Sequence, residues 1–406
     1  MKVTSVETIW NPRWSNFVWV RVNTDEGLTG LGETFRHPTP VIRYMHDHVA
    51  PYLLGADPLP VTRHADAMAN RGGLRFLGYP TRSVEIRANS AVDIALWDLK
   101  AKAASLPLAD LLGGPFRTSI PIYNTCAGPS YNWQAGLSRA RMAAAGDASQ
   151  SAGSVPDDLQ AQFDDPGALA QSLLDDGIKA MKIWPFDAVA DRTRGTHIPP
   201  EDLREGLSKI AAIRDAVGDR INIMLEYHSL WNRAPAERIM REVDAFDPFW
   251  HEDPIRMEDI RALAGLRDRV KSPIAGSESH GSATWFRDAF EANAIDYAHF
   301  DIGWVGGLTE GIKVAHLADA NGRLIAPHDC TGPVVWIANL HLALSQPNAL
   351  ILESVRAFYR GIYKSFVTEL PRIENGIAHA MEGPGLGTEL SEELLNHPDT
   401  QIERSA

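Results

Sequence analysis

Three short apolar segments of this sequence end in a glutamate, and the three glutamates are equally spaced. The segments are Ile221–Glu226, Phe249–Glu252 and Pro273–Glu278, so the carboxylates follow one another at intervals of 26 residues. One strand–helix–strand unit needs about 30 residues, so this interval predicts successive parallel strands joined by helices. In a (β/α)8 barrel the carboxyl ends of the strands surround one catalytic centre. We therefore expect the three carboxylates to converge.

The convergent acids Glu226, Glu252 and Glu278 are candidate ligands of a metal ion. Carboxylates brought together repel one another, and a bound cation removes that repulsion. Ligand sets made only of oxygen select a hard cation, so we predict one Mg²⁺ per subunit, with Mn²⁺ as an alternative. A single glutamate at a strand end is usually a solvated charge, but three at one interval are harder to explain in that way.

The same alternation of strands and helices continues along the chain from Ile120. Predicted strand ends recur at positions 182, 226, 252, 278, 301, 328 and 353, with a spacing of 23 to 27 residues after the early units. This period is the strongest indication of a barrel. Residues 143–166 are rich in Ala, Ser, Gly and Asp, which predicts a mobile insertion in the first βα unit.

The chain before this barrel has a different pattern, in which strands come first and helices follow. Three strand-like segments lie within the first 35 residues, and the clearest helical periodicity covers Ala88–Ala104. Strands followed by helices indicate an α+β domain. We therefore predict an α/β chain in three parts: an α+β capping domain over residues 1–118, a barrel over 119–355, and a segment over 356–406 that returns to the capping domain.

Composition narrows the range of partners and compartments. The chain of 406 residues carries 39 basic and 52 acidic residues, a net charge of −13, which argues against a nucleic-acid partner. An anionic substrate would therefore need local positive charge from a metal or from a few placed Lys or Arg residues. The two cysteines, Cys126 and Cys330, suit a reducing compartment. Neither a signal peptide nor a membrane-spanning apolar run is evident, so we expect a cytoplasmic protein with no membrane partner.

Further polar residues occupy the predicted strand ends beside the three glutamates. His228 follows Glu226 by two residues, and the period of two in a strand places both side chains on one face. Asp301 and His328 end the sixth and seventh strands, and a carboxylate beside a histidine orients the ring and raises its basicity. The candidate catalytic residues are Lys182, His228, Asp301, His328 and Glu353.

Structural explanations compete with these assignments. A single histidine is usually a hydrogen-bonded structural residue, and the chain has 14 of them. For His328 that explanation is weakened by the acids on the same rim. Lys182 can equally serve as the ion-pair partner of a rim glutamate. We expect His251 and Asp253, which flank Glu252, to be structural or peripheral.

The sequence resembles the mandelate racemase subgroup of the enolase superfamily over nearly its whole length. The matching features are Gly30–Glu33, the helix Asp93–Lys100, the three strand-end acids, Val305–Thr309, the Asp301/His328 pair and Pro384–Gly387. The resemblance implies an α+β capping domain, a modified (β/α)7β TIM-like barrel, one Mg²⁺ and abstraction of the proton α to a carboxylate. Sites of this superfamily combine a Lys or His base with Mg²⁺ that stabilises an enediolate. The resemblance also implies a homo-oligomer, between a dimer and an octamer.

Two positions distinguish the chain from racemases of that subgroup. Racemases carry Lys-x-Lys on the second strand, whereas this chain has Lys182-Ile-Trp184, and tryptophan cannot act as a base. The third strand ends in Glu226-Tyr-His228, which resembles the Asp-x-His of galactonate and of gluconate/mannonate dehydratases. Glu226 in place of Asp adds one methylene to the first metal ligand.

The resemblance therefore predicts a Mg²⁺-dependent dehydratase of a sugar acid, either an aldonate or an aldarate. His328, oriented by Asp301, would remove the proton at C2, and His228 would protonate the departing 3-hydroxyl. Lys182 and the metal would stabilise the enediolate, Glu353 would donate a hydrogen bond to it, and the product would be a 2-keto-3-deoxy acid. Two alternatives stay open: a sugar-acid or lactone cycloisomerase or epimerase that forms the same enolate, and a protein that binds a sugar acid without turnover.

Contacts to the substrate are expected from loops and rim residues over the mouth of the barrel. The candidates are Trp14 and His37 in the first domain and Trp184 and Trp304 on the barrel rim. The sequence alone does not identify the sugar acid.

Overall fold

The N-terminal part of the molecule is built on an antiparallel sheet of the order β14-β1-β2-β3. This computed structural model describes residues 1–36, 38–70, 84–132 and 155–406 of the chain. Val18, Val20 and Val22 alternate along β2 and are fully buried, as expected for a strand that lies against a core. The strands are β1 (Val3–Trp10), β2 (Phe17–Thr24), β3 (Thr29–Phe35) and β14 (Gln401–Ser405).

A long helix, Val84–Ala103, packs on this sheet at very close range. A Cβ atom at Gly30 would lie 2.0 Å from the carbonyl oxygen of Ala95, and one at Gly32 would lie 1.9 Å from that of Ala91. Glycine at both positions is therefore what allows the helix to approach β3. The helices of this part are α1 (Pro38–Tyr44), the π-helix Met45–Val49, α2 (Ala50–Leu53), α3 (Val61–Asn70), α4 (Val84–Ala103) and α5 (Leu108–Leu111), with a 3-10 turn at Pro12–Trp14.

Eight parallel strands form the second part, and the first seven pair with one another in chain order. The ring closes where β11 pairs with β4, through Leu352 and Ile122, and where Ile325 bridges to Ala349. The fold class predicted from the sequence, a TIM-like barrel with an α+β capping domain, is confirmed. The barrel strands are β4 (Ser119–Thr125), β5 (Ala180–Ile183), β6 (Asn222–Glu226), β7 (Trp250–Glu252), β8 (Ile274–Gly276), β9 (Tyr297–Ala298), β10 (Leu324–Ile325) and β11 (Leu352–Ser354).

Helices lie between the barrel strands and cover their outer face. Pro200–Val217 is typical, because Leu203, Ile210 and Ile213 are buried while its other face is polar. The helices are α6 (Asp158–Asp164), α7 (Pro166–Asp175), α8 (Asp187–Thr193), α9 (Pro200–Val217), α10 (Arg233–Val243), the 3-10 turn Asp244–Phe246, α11 (Ile260–Arg267), α12 (Ala283–Glu291), α13 (Ile302–Val305), α14 (Gly307–Ala320) and α15 (Pro333–Ser345).

The C-terminal residues contact both parts of the molecule. The hairpin of β12 and β13 pairs with β4 of the barrel, and β14 pairs with β1 of the capping sheet. The predicted boundaries after residues 118 and 355 stay predictions. The remaining elements are α16 (Arg356–Tyr359), α17 (Tyr363–Phe366), β12 (Ile373–Glu374), β13 (Ile377–His379) and α18 (Glu392–Leu395).

The predicted insertion at residues 143–166 is ordered in its last part. Residues 158–164 are a helix there, capped by the Asp157 side chain, which accepts from the backbone N–H of Gln160. Asp158 is buried against Arg356, with two contacts of 2.7 Å between carboxylate and guanidinium. This part of the segment is thus a packed helix, its mobility stays a prediction, and residues 143–154 lie outside the described residues. Across the part of the chain that the structure describes, the helices are too short or too polar to span a bilayer.

Two buried carboxylates join the capping domain to the loops and helices at the barrel mouth. Asp93 accepts from the backbone N–H of Thr309 at 2.9 Å and from its hydroxyl at 2.6 Å. Glu33 accepts from the backbone N–H groups of Val334 and Val335, each at 2.8 Å, and so caps α15. Burial raises the pKa of Asp93 to about 7 and that of Glu33 to about 8. These contacts hold the segments that follow β9 and β10 in place.

Candidate functional site

The three spaced glutamates meet at one end of the barrel. Glu226 and Glu252 are direct partners in the β6–β7 register, and Glu278 lies two residues beyond the end of β8. One carboxylate oxygen from each residue lies within 4.8 Å of the other two. Glu226 and Glu252 are buried, and about a fifth of the Glu278 side chain is exposed. The expected convergence is confirmed by this geometry.

The chemistry of this acidic triad fits a hard divalent cation. Oε2 of Glu226 is buried and has no hydrogen-bond partner among the described residues, and the nearest cation, Nζ of Lys182, is 3.5 Å away. Burial, and next the charge of Glu252, raise the pKa of Glu226 well above its usual value. A cation bound by the three carboxylates would remove that repulsion and satisfy the unpaired oxygen. All-oxygen ligands of this kind are those that Mg²⁺ prefers.

Lys182 lies in the middle of these acids rather than at their edge. Its Nζ is 2.5 Å from Oε1 of Glu252 and 2.9 Å from Oε1 of Glu353. Burial alone would lower the pKa of Lys182, but the charges of Glu252 and Glu353 outweigh it and raise that pKa well above the usual value. The side chain is therefore held as an ammonium ion that donates to carboxylates.

His328 lies between two carboxylates at the mouth of the seventh strand. Its Nδ1 is 2.7 Å from Oδ2 of Asp301, and its Nε2 is 2.7 Å from Oε2 of Glu278. Burial would lower the pKa of His328, but the charges of Glu278 and Glu353 outweigh it and raise that pKa well above the usual value. A cation that neutralised Glu278 would bring this pKa back towards the range of a general base.

His228 lies beside the acidic triad, in the loop that follows β6. It adopts a left-handed backbone with φ of 51°, and its backbone N–H donates to Oε1 of Glu226 at 2.5 Å. Its Nδ1 lies 2.7 Å from Oδ2 of Asp187, and its ring lies against Trp184 with centroids 5.7 Å apart. The strained backbone thus ties one candidate metal ligand to an imidazole that has its own carboxylate.

Glu353 completes the base of the site from the eighth strand. It accepts from the hydroxyl of Thr125 and, at 3.0 Å, from the backbone N–H of Asp329. Burial would raise the pKa of Glu353, but Lys182 and His328 outweigh it and lower that pKa. The carboxylate is thus held ionised by its neighbours. The predicted role of Glu353 as a hydrogen-bond donor stays a prediction.

A cavity opens above these residues. Trp184 and Trp304 line it, as expected for substrate-binding residues, although their role stays a prediction. Trp14 does not: its ring packs edge-on against Phe366 and His397, so it belongs to an aromatic core and its assignment to substrate is corrected. His37 lies outside the described residues. The cavity is lined by Phe35, Arg36, Thr125, Tyr131, Asn132, Lys182, Trp184, His228, Glu278, Trp304, His328, Cys330 and Glu353.

Sequence reasoning missed His299, which is fully buried within the acidic centre. Its Nε2 is 3.0 Å from Oε1 of Glu252 and 3.5 Å from Oε2 of Glu353. His299 precedes Asp301 by two residues, so the period of a strand could have placed both on one face. His251, by contrast, points away from the acidic centre. Its Nδ1 is 2.9 Å from the hydroxyl of Tyr227, and its Nε2 is 3.2 Å from Oδ1 of Asp244.

Comparisons with known proteins agree with this geometry. Residues 3–113 match the family model of the mandelate racemase/muconate lactonizing enzyme N-terminal domain, and residues 166–394 match the enolase C-terminal domain-like model. The chain is 28% identical to D-gluconate dehydratase of Thermoproteus tenax, over 94% of this chain and 70% of that one. It is 27% identical to D-galactonate dehydratase of Xanthomonas oryzae pv. oryzae, over 98% and 96% of the two chains.

A solved structure extends the likeness to the whole fold. It is an enolase of the mandelate racemase subgroup from Agrobacterium tumefaciens, 40% identical, with a TM-score of 0.87 over 100% of this chain and 99% of that one. The two family models together cover both the capping domain and the barrel that carries the acidic triad. The chain therefore belongs to the mandelate racemase/muconate lactonizing enzyme family of the enolase superfamily.

Proposed function

We propose that this protein is a sugar-acid dehydratase that uses Mg²⁺ held by Glu226, Glu252 and Glu278. The observation that carries the proposal is a pair of imidazoles around one acidic triad, each beside its own carboxylate: His328 with Asp301, and His228 with Asp187. Two separate proton-transfer groups suit a β-elimination, which needs a base for carbon and an acid for the departing oxygen. The names of the dehydratase relatives support the same reaction class.

The metal, when bound, would supply Lewis-acid stabilisation of the negative charge that develops on the substrate carboxylate. Lys182 is the residue of this chain that would add to that stabilisation. It is held as an ammonium ion in a buried setting, where a charge–charge interaction is stronger than in water. Glu252 and Glu353 hold its Nζ in place, so little reorganisation is needed when the substrate carboxylate arrives.

His328 would remove the proton at C2 of the substrate through its Nε2. Asp301 accepts the hydrogen bond from Nδ1–H of His328, so the neutral ring carries its lone pair on Nε2. The electron pair of the broken C2–H bond moves towards the carboxylate of the substrate. Asp301 also stabilises the imidazolium ion that forms.

His228 would protonate the 3-hydroxyl as the C3–O bond breaks, because hydroxide is a poor leaving group. Water leaves, and the enol product tautomerises to a 2-keto-3-deoxy acid. Trp184 lies where racemases of the subgroup carry a second lysine base, and it cannot accept a proton. That substitution disfavours an epimerase, which would have to reprotonate C2 from its other face.

A screen of sugar acids tests the proposal directly. Aldonates and aldarates of five and six carbons are incubated with the protein and Mg²⁺, and the 2-keto acid is detected. We expect keto acid with at least one of them, at a rate that chelation with EDTA abolishes. A lactone or an epimer formed without keto acid would favour the cycloisomerase or epimerase instead. Assembly into a homo-oligomer and a cytoplasmic location stay predictions from the sequence.

A further inference from the structure

The cavity has a positively charged wall on the capping-domain side that the proposed mechanism does not use. Arg36 directly follows β3 and lines the cavity beside Phe35. Its side chain is exposed, and its guanidinium carbon lies 5.6 Å from the centre of the Phe35 ring. Within residues 1–36, 38–70, 84–132 and 155–406, no carboxylate forms an ion pair with this guanidinium.

The other lysine or arginine on the cavity wall is in a different electrostatic state. Lys182 has three carboxylates within 3.5 Å, those of Glu226, Glu252 and Glu353. Its charge is therefore balanced by the protein. The charge of Arg36 is balanced by no described side chain, so an anion in the cavity is its natural partner.

A second arginine, Arg87 on α4, lies behind this wall against Trp304 and Phe35 and adds to its positive potential. Its guanidinium stacks on the ring of Trp304 at 4.2 Å, and its Nη1 donates to the backbone oxygen of Phe35 at 2.5 Å. Its Nε is buried without a hydrogen-bond partner among the described residues. Burial lowers the pKa of Arg87 to about 10, and the charges of Asp301 and Glu278 offset this only in part.

The backbone holds Arg36 at this wall. The backbone φ of Arg36 is 70°, in the left-handed region that residues other than glycine rarely adopt. Its N–H donates to the backbone oxygen of Asn16 at 2.7 Å, while Arg87 binds the carbonyl that precedes it. Contacts on both sides thus fix the backbone from which the Arg36 side chain extends, and a backbone held in place lowers the cost of ordering this residue on anion binding.

We propose that Arg36, supported by Arg87, binds a second carboxylate at the far end of the substrate, so that the preferred sugar acid is an aldarate rather than an aldonate. The inference rests on the proposed dehydratase function, in which the first carboxylate lies at the metal and Lys182. A guanidinium binds a carboxylate through two parallel charge-assisted hydrogen bonds. The terminal alcohol of an aldonate cannot form them.

Matched substrates that differ only at C6 test this proposal. Galactarate is compared with galactonate, and glucarate with gluconate, by kcat/KM for the wild type and for Arg36→Gln. We expect the wild type to prefer the aldarate of the pair that it accepts. Arg36→Gln should reduce kcat/KM for that aldarate about tenfold or more, mainly through KM, and change the aldonate value by less than about twofold.

Arg63→Gln, an exposed arginine on α3, is the matched control and should leave both values unchanged. A wild-type preference for the aldonate, or an equal loss on both substrates in Arg36→Gln, would overturn the assignment of Arg36 and leave the dehydratase proposal intact. A preference for 6-phosphogluconate over glucarate would show that the distal group is a phosphate and would overturn the carboxylate. Absence of keto acid from every sugar acid would overturn the proposed function and this inference together.

Discussion

Nδ1 of His328 lies 2.7 Å from Oδ2 of Asp301, although the two residues follow different barrel strands and are 27 positions apart. Asp301 is also the N-cap of α13, where its Oδ1 accepts from the backbone N–H of Gly303 at 2.7 Å. One oxygen of this carboxylate thus accepts a hydrogen bond from the helix N-terminus, and the other accepts one from the imidazole. The residue that orients the proposed base is therefore itself held in place by the start of a helix.

Asp301→Asn should separate these two roles. Asparagine is as good an N-cap as aspartate, so α13 and the overall stability should change little. The amide cannot stabilise the imidazolium ion and can favour the wrong tautomer of His328. We expect kcat for keto-acid formation to fall by about 10²–10⁴-fold. A kcat within a few-fold of wild type would remove Asp301 from the mechanism.

Metal binding should be visible in stability as well as in activity. Added Mg²⁺ should raise the unfolding free energy by about 2.7 kcal/mol when its concentration is about 100 times Kd. Glu226→Gln removes one charged ligand at nearly constant volume and should abolish most of that rise. Glu205→Gln, an exposed glutamate on α9, should respond to Mg²⁺ as the wild type does. An unchanged Mg²⁺ response of Glu226→Gln in thermal unfolding would contradict the metal site.

Glu33 should make stability depend on pH. Burial raises its pKa in the folded protein to about 8 from a usual value of 4.5, although the N–H groups of Val335 and Val334 oppose this. The folded state therefore holds the proton more tightly than the unfolded chain. Stability from this group is fully present below about pH 4.5 and is lost as pH rises through about 8.

Glu33→Gln cannot ionise and keeps an acceptor for the helix N–H groups. We expect the wild type to lose up to a few kcal/mol more than Glu33→Gln between about pH 5 and pH 8, since one pKa unit corresponds to about 1.4 kcal/mol. Urea unfolding at both pH values, at one protein concentration, measures the difference. Equal losses in the two proteins would show that Glu33 does not titrate as expected.

The barrel and its acidic centre could be predicted because both follow from periodicity. The interval of 26 residues placed Glu226 and Glu252 on neighbouring strands, and the register pairs them directly. The exact strand ends could not be predicted in the same way. β9 and β10 stop at Ala298 and Ile325, so Asp301 and His328 lie in the segments beyond them. Those segments are positioned by tertiary contacts rather than by strand patterning.

Residues brought in from other elements were harder to predict. Asp187, which lies beside His228, is on α8, and no spacing in the sequence connects the two. Trp14 was assigned to the substrate because it lies in a loop between strands, but apolar packing with Phe366 places it in the core. Arg87 reaches Trp304 and the carbonyl of Phe35 only because α4 lies against β3.

Two imidazoles around one divalent ion would divide the proton transfers, one acting at carbon and the other at oxygen. Exchange of the C2 hydrogen with solvent in D2O, measured by NMR on recovered substrate alongside keto-acid formation, tests this claim most directly. We predict that His328→Asn abolishes both exchange and keto acid, and that His228→Asn keeps exchange while it stops loss of water. Undiminished exchange in His328→Asn, or normal keto-acid formation in His228→Asn, would contradict the account.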